Sequence, residues 1–213
     1  MKTDDLVSML STNVEVVDHR LMSRTVTGAV VLGAVVALGA ALIMLGGRTD
    51  IWTAGALTFM IAKLAFAVAV AALAFFYLIR FARPTGDQRR STALVALPFL
   101  GIVGLAAISL AYAPSVHWQA MFMGDEWVEC LLSIPIIAIV PFALVVWAVR
   151  QAAPTDLRRT GALAGLVAGG LSAVGYALHC TADSLLFVAI WYSGTIMLCT
   201  IAGAVLGPRL LRW

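Results

Sequence analysis

Six long runs of apolar residues are the strongest constraint on how this chain can fold. Each is about as long as the 20 or so residues that an α-helix needs to cross a hydrocarbon core of roughly 30 Å. Spanning β-strands would be about ten residues long and would alternate polar with apolar side chains, so we predict helices. The runs cover Val26 to Leu45, Gly55 to Ile79, Thr92 to Ala113, Val128 to Val149, Gly161 to Leu178 and Ser184 to Leu206.

The composition agrees with a membrane protein and excludes a water-soluble one. Of the 213 residues, 62% are hydrophobic and 12% are charged, whereas soluble domains are about half apolar and a quarter charged. A soluble fold of this size could not bury so much apolar surface, but a bilayer solvates it. The formal net charge of +3 is too small to indicate a nucleic-acid binder. We therefore predict an all-α membrane protein, a bundle of six transmembrane helices.

The distribution of Lys and Arg predicts the orientation of this bundle. If residues 1–25 lie inside, only Arg48 lies outside, and Lys63 lies within a span. Positive residues concentrate on the cytoplasmic side of membrane proteins. Both termini are therefore expected in the cytoplasm, with the chain in a bacterial inner membrane. The inner residues are Lys2, Arg20, Arg24, Arg80, Arg83, Arg89, Arg90, Arg150, Arg158, Arg159, Arg209 and Arg212.

This topology divides the chain into a cytoplasmic tail (residues 1–25), a transmembrane domain (26–207) and a short cytoplasmic C-terminus (208–213). The leader carries acids and no convincing cleavage site follows the first run, so we interpret that run as a retained span rather than a signal peptide. No extramembrane segment is long enough to fold as a separate domain.

Apolar residues of the tail recur at spacings of three and four, which marks one face of an amphipathic helix. A helix lying on a membrane surface would be rich in Lys and Arg, but this tail carries four acids against three basic residues. We therefore expect a protein partner to cover the apolar stripe, and the alternative is a frayed leader without a partner. The stripe consists of Leu6, Leu10, Val14, Val17 and Leu21.

Glycines of the fifth span predict that it packs tightly against its neighbours. Small residues recur four positions apart in a small-xxx-small track, as in membrane helices whose backbones approach closely. This pattern indicates packing and says nothing about chemistry. The glycines are Gly161, Gly165, Gly169 and Gly170.

Two of the three cysteines are predicted to be neighbours at the outer membrane surface. Cys130 lies 20 residues before Arg150, and Cys180 lies 20 residues after Thr160, in consecutive antiparallel spans. At 1.5 Å per residue, both should lie about 30 Å from the inner loop. The outer compartment of a bacterium favours disulfides. Cys199 lies deeper in the sixth span and is expected to be a small packing residue.

The cysteine pair leaves three chemistries open, namely a disulfide, a soft-metal site and two unconnected buried thiols. His179, Asp183 and Glu129 lie beside the cysteines in the sequence, and thiolate, imidazole and carboxylate ligands together suit zinc or cadmium. The spacing matches no standard zinc finger or cluster, so we predict no permanent cofactor. Transient binding of a soft metal stays open.

Lys63 places an amine near the middle of the second span, where a charge is costly. It must face the bundle and find a hydrogen-bonding partner, and no carboxylate occurs in a span at matching depth. A transporter, a conformational switch or a purely structural element would each use such a lysine. The expected acceptors are Tyr176, Tyr192, Ser172 and the carbonyls that Pro135 and Pro141 free in the fourth span.

Signals of catalysis are missing from the sequence. It has no Ser/His/Asp arrangement, no glycine-rich phosphate loop and no HExxH motif. We therefore expect a protein that is not an enzyme. The alternative to a signalling function is a small multi-pass transporter of a metal or a small solute, using Lys63 and the outer acids. Spans other than the second are nearly free of charge, which disfavours transport.

Several short motifs run through the C-terminal half. They are Cys130-Leu-Leu-Ser-Ile-Pro, Arg150-Gln-Ala-Ala-Pro, Tyr176-Ala-Leu-His-Cys180-Thr-Ala-Asp-Ser184, Trp191-Tyr192 and Leu211-Arg-Trp. Together they resemble the NrsF family, which are bacterial six-span membrane anti-sigma factors. The resemblance covers most of the chain and is most specific in the Tyr-x-x-His-Cys-x-x-Asp-Ser stretch and the paired cysteines.

The resemblance implies a regulator. The tail would hold an extracytoplasmic-function sigma factor away from RNA polymerase, and the membrane domain would release it on an outside cue. Family members are associated with a cysteine pair that matches Cys130 and Cys180 here, and Cys199 has no counterpart. The implied cue is a thiol-reactive, heavy-metal or oxidative stress. The expected partners are the sigma factor and the lipid bilayer, without direct contact to nucleic acid.

Overall fold

The computed structural model describes residues 19–49, 53–82, 92–124 and 126–212. Every element in this part of the chain is helical, and six helices are long and apolar enough to cross a membrane. The predicted six-helix bundle is confirmed. The spans are His19–Met44, Ala54–Phe81, Leu97–Tyr112 with a preceding 3-10 turn Ala93–Ala96, Trp127–Arg150, Leu157–Ala177 and Leu185–Leu210.

The bundle has two irregular features, one in the connection between the third and fourth spans and one within the sixth span. A 3-10 turn (Ser115–His117) and a short helix (Trp118–Met123) lie between the third and fourth spans. The sixth span changes from α-helix at Leu185–Phe187 to a π-helical turn at Val188–Tyr192 and returns to α-helix at Ser193–Leu210. Such π-helical turns occur frequently at functional sites.

Local sequence explains where the last two spans begin. The side chain of Asp156 caps the fifth span by accepting a hydrogen bond from the Arg159 backbone N–H at 3.0 Å. Ser184 caps the sixth span in the same way, with the Phe187 N–H 3.4 Å from its hydroxyl oxygen. Both side chains satisfy a backbone donor that has no partner within the first helical turn.

The fifth span is the centre of the bundle. Over an 18-residue stretch 83% of its residues are buried, against 39% or less for the other spans. A Cβ atom on Gly161 or Gly165 would overlap carbonyl oxygens of the sixth span, and one on Gly170 would lie 3.0 Å from the Cβ of Ala71 in the second span. The predicted glycine packing is therefore confirmed, because these backbones touch where no side chain would fit.

The two ends of the bundle are named here by their residues. The cysteine end consists of residues 45–49, 113–124 and 178–184, and the arginine end is the opposite one, where Arg80, Arg150 and Arg209 lie in the last turns of their helices. The first span begins at His19 and therefore includes the last residues of the predicted tail. Four residues of its apolar stripe (Leu6, Leu10, Val14, Val17) and the side chain of Leu21 lie outside the described residues.

Candidate functional site

Lys63 is fully buried at the cysteine end of the second span. Its Nζ donates a hydrogen bond to the Cys180 carbonyl oxygen at 2.9 Å and lies 3.5 Å from the Cys180 Sγ. A carboxylate oxygen of Asp183 is 3.7 Å from the same Nζ. The connection between the fifth and sixth spans (residues 178–184) therefore supplies the polar partners of this buried lysine.

A backbone carbonyl accepts from Lys63, as one of the predicted alternatives, but it belongs to Cys180 and not to the fourth span. The predicted side-chain acceptors were wrong. The Tyr176 hydroxyl hydrogen-bonds to the Glu126 carbonyl oxygen at 3.4 Å, and the Ser172 hydroxyl bonds within its own helix to Ala168. Lys63 instead reaches the connection, where Asp183 lies outside any span, in keeping with the tendency of long cationic side chains to extend toward the membrane interface.

Arg48 holds the same connection from the loop after the first span. Its guanidinium forms a bidentate pair with Asp183, with N–O distances of 2.7 and 2.6 Å, and donates to the Cys180 carbonyl oxygen at 3.3 Å. Its backbone N–H donates to the Leu178 carbonyl oxygen at 3.0 Å. Charge-assisted bidentate pairs are among the strongest polar contacts in proteins. Arg48 and Lys63 therefore clamp Cys180 from the loop after the first span and from the second span.

Cys130 and Cys180 lie in one buried cluster. Both are completely inaccessible to solvent and both are free thiols. They share a hydrophobic core with Tyr176 and Tyr192, and the two sulfurs are close enough for a charge on one to act on the other. The spacing of the two cysteines from the inner loop had predicted this proximity.

The two thiols have different surroundings. Cys130 lies beside the hydroxyl of Thr195, which donates to the carbonyl oxygens of Trp191 at 2.8 Å and Tyr192 at 3.0 Å. At Cys180, burial raises the pKa of the thiol above its ordinary value, and the charge of Lys63 and the hydroxyl of Tyr192 oppose this rise.

Tyr192 is a site residue whose role could not be found from the sequence. It is fully buried in the π-helical turn, and its ring packs on Tyr176 and Phe187 at centroid distances of 5.7 and 6.3 Å. Its hydroxyl lies beside Cys180 but makes no hydrogen bond of normal geometry to any described residue. Buried hydroxyls nearly always have a partner, so this one marks a position where a polar atom would be stabilised.

Glu126 ties the start of the fourth span to the same connection. One of its carboxylate oxygens accepts from the Thr181 backbone N–H at 3.0 Å, and the Thr181 hydroxyl donates to the other. The adjacent Cys130 N–H donates to the Glu126 carbonyl oxygen at 2.9 Å. One residue therefore links the backbones around both cysteines. The sequence marked Glu126 only as an acid of an outer loop.

The three residues considered as metal ligands have separate partners in the structure. His179 lies between Glu129, with an N–O distance of 3.3 Å, and the Gly46 carbonyl oxygen, also at 3.3 Å. Asp183 is paired with Arg48. No group of three or more His, Cys, Asp or Glu side chains in the described ranges is arranged to hold a metal ion. Cys199 lies apart from the pair, packed with Ala138 and Ala168 as predicted.

A cavity of about 480 Å³ lies next to the clamped connection. It is covered by the short helix Trp118–Met123, to which the sixth span is attached by two hydrogen bonds. The Ser184 hydroxyl donates to Met121 and the Trp191 indole N–H to Phe122, both at 2.9 Å. The lining residues are His117, Ala120, Met121, Gly124, Glu126, Thr181, Ala182, Asp183, Ser184 and Phe187.

Comparison with known proteins agrees with the motifs of the C-terminal half. A family described as NrsF, "Negative regulator of sigma F", matches residues 10–213. The chain belongs to the NrsF family. It is 33% identical over 213 residues to the "Probable anti-sigma-F factor NrsF" of Azospira oryzae, and 30% identical over 215 residues to the "Anti-sigma-F factor NrsF" of Caulobacter vibrioides. Both alignments cover all of both chains. No solved structure matches.

Membership in NrsF decides between the classes of function that the sequence left open. The description of the family is that of a regulator, not of an enzyme or a transporter. The resemblance stated from the motifs is confirmed, and the transporter alternative finds no support in the comparisons.

Replacing Asp183 with Asn should destabilise the cysteine end, because Arg48 would lose its bidentate carboxylate partner. We expect a loss of about 2 kcal/mol, less than for a fully buried pair because water reaches part of Asp183. The measurement is the free energy of unfolding of the purified protein in detergent. Asp156→Asn is the matched control, since its ion pair with Arg159 is exposed and Asn still caps a helix. Equal losses in both variants would contradict a stabilising clamp.

Proposed function

We propose that this chain is a membrane anti-sigma factor with a cytoplasmic tail that sequesters an extracytoplasmic-function sigma factor. It releases the sigma factor when a periplasmic thiol-reactive, heavy-metal or oxidative cue acts on Cys130 and Cys180. Full-length similarity to two proteins that bear the name anti-sigma-F factor carries the proposal. The type of sigma factor is what the resemblance to NrsF implies.

In this proposal the chain crosses the bacterial inner membrane six times with both termini in the cytoplasm. Twelve positive residues on one side against Arg48 on the other support that orientation. The cysteine end then faces the periplasm, where oxidants and metals can reach the thiols before these agents enter the cytoplasm. Residues 1–25 are the sigma-binding tail, 26–207 the transmembrane domain and 208–213 the C-terminus.

The first span offers a physical route from the cysteine pair to the tail. It is one continuous helix of 26 residues, about 39 Å long at 1.5 Å per residue. It begins within the tail at His19, and shortly after its other end Arg48 bonds to Asp183 and to the Cys180 carbonyl oxygen. A change at Cys180 that displaces Arg48 would therefore shift the helix that leads to the tail.

The tail is tested by charges placed in its apolar stripe. Leu10→Asp and Val14→Asp should each weaken binding of the sigma factor about tenfold or more, because an interface loses a buried anchor. The full-length protein in detergent is used to capture purified extracytoplasmic-function sigma factors of the same organism, and the dissociation constant is measured. Ser8→Asp, on the opposite side of the predicted helix, is the control. Unchanged binding after deletion of residues 1–18 would refute the assignment of the tail.

The cysteines are tested in cells with a reporter gene that depends on the sigma factor. Cys130→Ser and Cys180→Ser should abolish most of the induction by cadmium, chromate and peroxide, since either change removes half of the thiol pair. Cys199→Ser should respond like the wild type because this residue packs away from the pair. A normal response from both single variants would show that the cue acts elsewhere.

A further inference from the structure

The surroundings of Cys180 form a site for oxidation of its sulfur. We propose that a small hydroperoxide oxidises Cys180 to a sulfenic acid, that Lys63 and Tyr192 bind the new oxygen, and that Cys130 then closes a disulfide. The signalling consequence of this modification rests on the proposed function, whereas the chemistry at Cys180 stands by itself.

Donor groups around the two sulfurs distinguish the thiol that is oxidised from the thiol that resolves it. Beside the Cys180 Sγ are the Lys63 Nζ, 3.5 Å away, and the Tyr192 hydroxyl, which makes no hydrogen bond of normal geometry to a described residue. Beside Cys130 is the Thr195 hydroxyl, whose single proton is already directed to backbone carbonyl oxygens. Thr195 is therefore a weaker donor to Cys130 than Lys63 is to Cys180. Negative charge is better stabilised at Cys180 than at Cys130.

A sulfenic oxygen on Cys180 would complete the hydrogen bonding of this buried site. Tyr192 is fully buried and makes no hydrogen bond of normal geometry to a described residue, so its O–H would gain an oxygen acceptor. Lys63 is also fully buried; its Nζ bonds to the Cys180 carbonyl oxygen and lies 3.7 Å from Asp183, and the N–H that now faces the sulfur would gain the stronger oxygen acceptor. Two donors thus converge on the position where an oxygen attached to Sγ would lie.

Burial decides which reagents can act at this site. Neither sulfur is exposed, so bulky thiol reagents are excluded, while the three residues that follow Cys180 in the chain, Thr181, Ala182 and Asp183, line a cavity that can hold small polar molecules. A metal cation at Sγ would be repelled by the Lys63 ammonium and would find no preformed set of three ligands in the described part of the chain. Among the cues named in the proposed function, a small uncharged oxidant fits these constraints best.

The proposed reaction has two balanced steps. In the first, the sulfur attacks hydrogen peroxide, a new S–O bond forms, the O–O bond breaks, and the thiol proton leaves with the second oxygen as water. The sulfur loses two electrons and the peroxide gains them. In the second step the Cys130 sulfur attacks the sulfenic sulfur of Cys180, an S–S bond replaces the S–O bond, and the hydroxyl leaves as water with the Cys130 proton.

The test uses the full-length protein in lipid nanodiscs, treated with hydrogen peroxide and then denatured with a dimedone probe that traps sulfenic acids. Mass spectrometry of the peptides containing Cys130 and Cys180 reports which sulfur carries the probe. In Cys130→Ser, which lacks the resolving thiol, we expect the trapped sulfenic acid at Cys180. In Cys180→Ser, we expect about tenfold less trapping at Cys130, the rate equivalent of a hydrogen bond to a charged atom.

Variants of the two donors test their role directly in the Cys130→Ser background. Tyr192→Phe and Lys63→Met should each slow oxidation of Cys180 about tenfold, because each removes one donor to the oxygen. Lys63→Arg should retain most of the rate. Tyr176→Phe is the matched control, since its hydroxyl bonds to Glu126 and its ring lies in the same cluster.

Any of three results would overturn the proposal. The probe could appear on Cys130 before Cys180, or no sulfenic acid could be trapped in Cys130→Ser. The third such result is an equal rate of oxidation in Tyr192→Phe and Tyr176→Phe. The order of oxidation is measured with Lys63 in place, so it does not depend on the folding of Lys63→Met. The readout is the chemical state of the isolated protein. A failure of sigma-factor release would therefore count against the proposed function and leave this assignment intact.

Discussion

Burial of Lys63 is the constraint on which the rest of the cysteine end depends. An amine within a membrane span is tolerated only when it is hydrogen-bonded. Within the described chain, Lys63 finds its acceptors in the connection between the fifth and sixth spans, at the carbonyl oxygen and sulfur of Cys180 and near Asp183. The same contacts that make the lysine tolerable hold Cys180 in place. A covalent change at the Cys180 sulfur therefore alters the hydrogen bonding of the buried Lys63.

Close packing of the spans allows such a change to have distant effects. The fifth span touches the sixth backbone to backbone at Gly161 and Gly165, and it meets the first span at Gly175, where a Cβ would lie 2.9 Å from the Ala37 carbonyl oxygen. Helices in such contact shift as units instead of deforming locally. Under the proposed function, Arg48 connects the altered thiol to the first span, and the first span leads to the tail. The bundle then serves to join a periplasmic sulfur to a cytoplasmic binding segment.

The sequence was sufficient for the features that depend on length, polarity and regular spacing. The apolar runs predicted the spans, the glycine track predicted the packing of the fifth span, and equal spacing from the inner loop predicted that Cys130 and Cys180 lie in the same region of the bundle. The acceptors of Lys63 could not be predicted from spacing, because the position of a loop residue beside a neighbouring helix does not follow from helical spacing. The π-helical turn that places Tyr192 beside Cys180 was hidden for a related reason, since one extra residue per turn leaves an apolar run looking continuous.

The central claim is that the state of the outer thiols controls sigma-factor binding on the other side of the membrane. The most direct measurement is the amount of sigma factor that stays bound to the full-length protein in nanodiscs before and after treatment with hydrogen peroxide. We expect the wild type and Cys199→Ser to release the sigma factor and the double variant Cys130→Ser/Cys180→Ser to retain it. Control of the tail by the thiols would be refuted if the sigma factor stayed on the oxidised wild type or left the double variant equally fast.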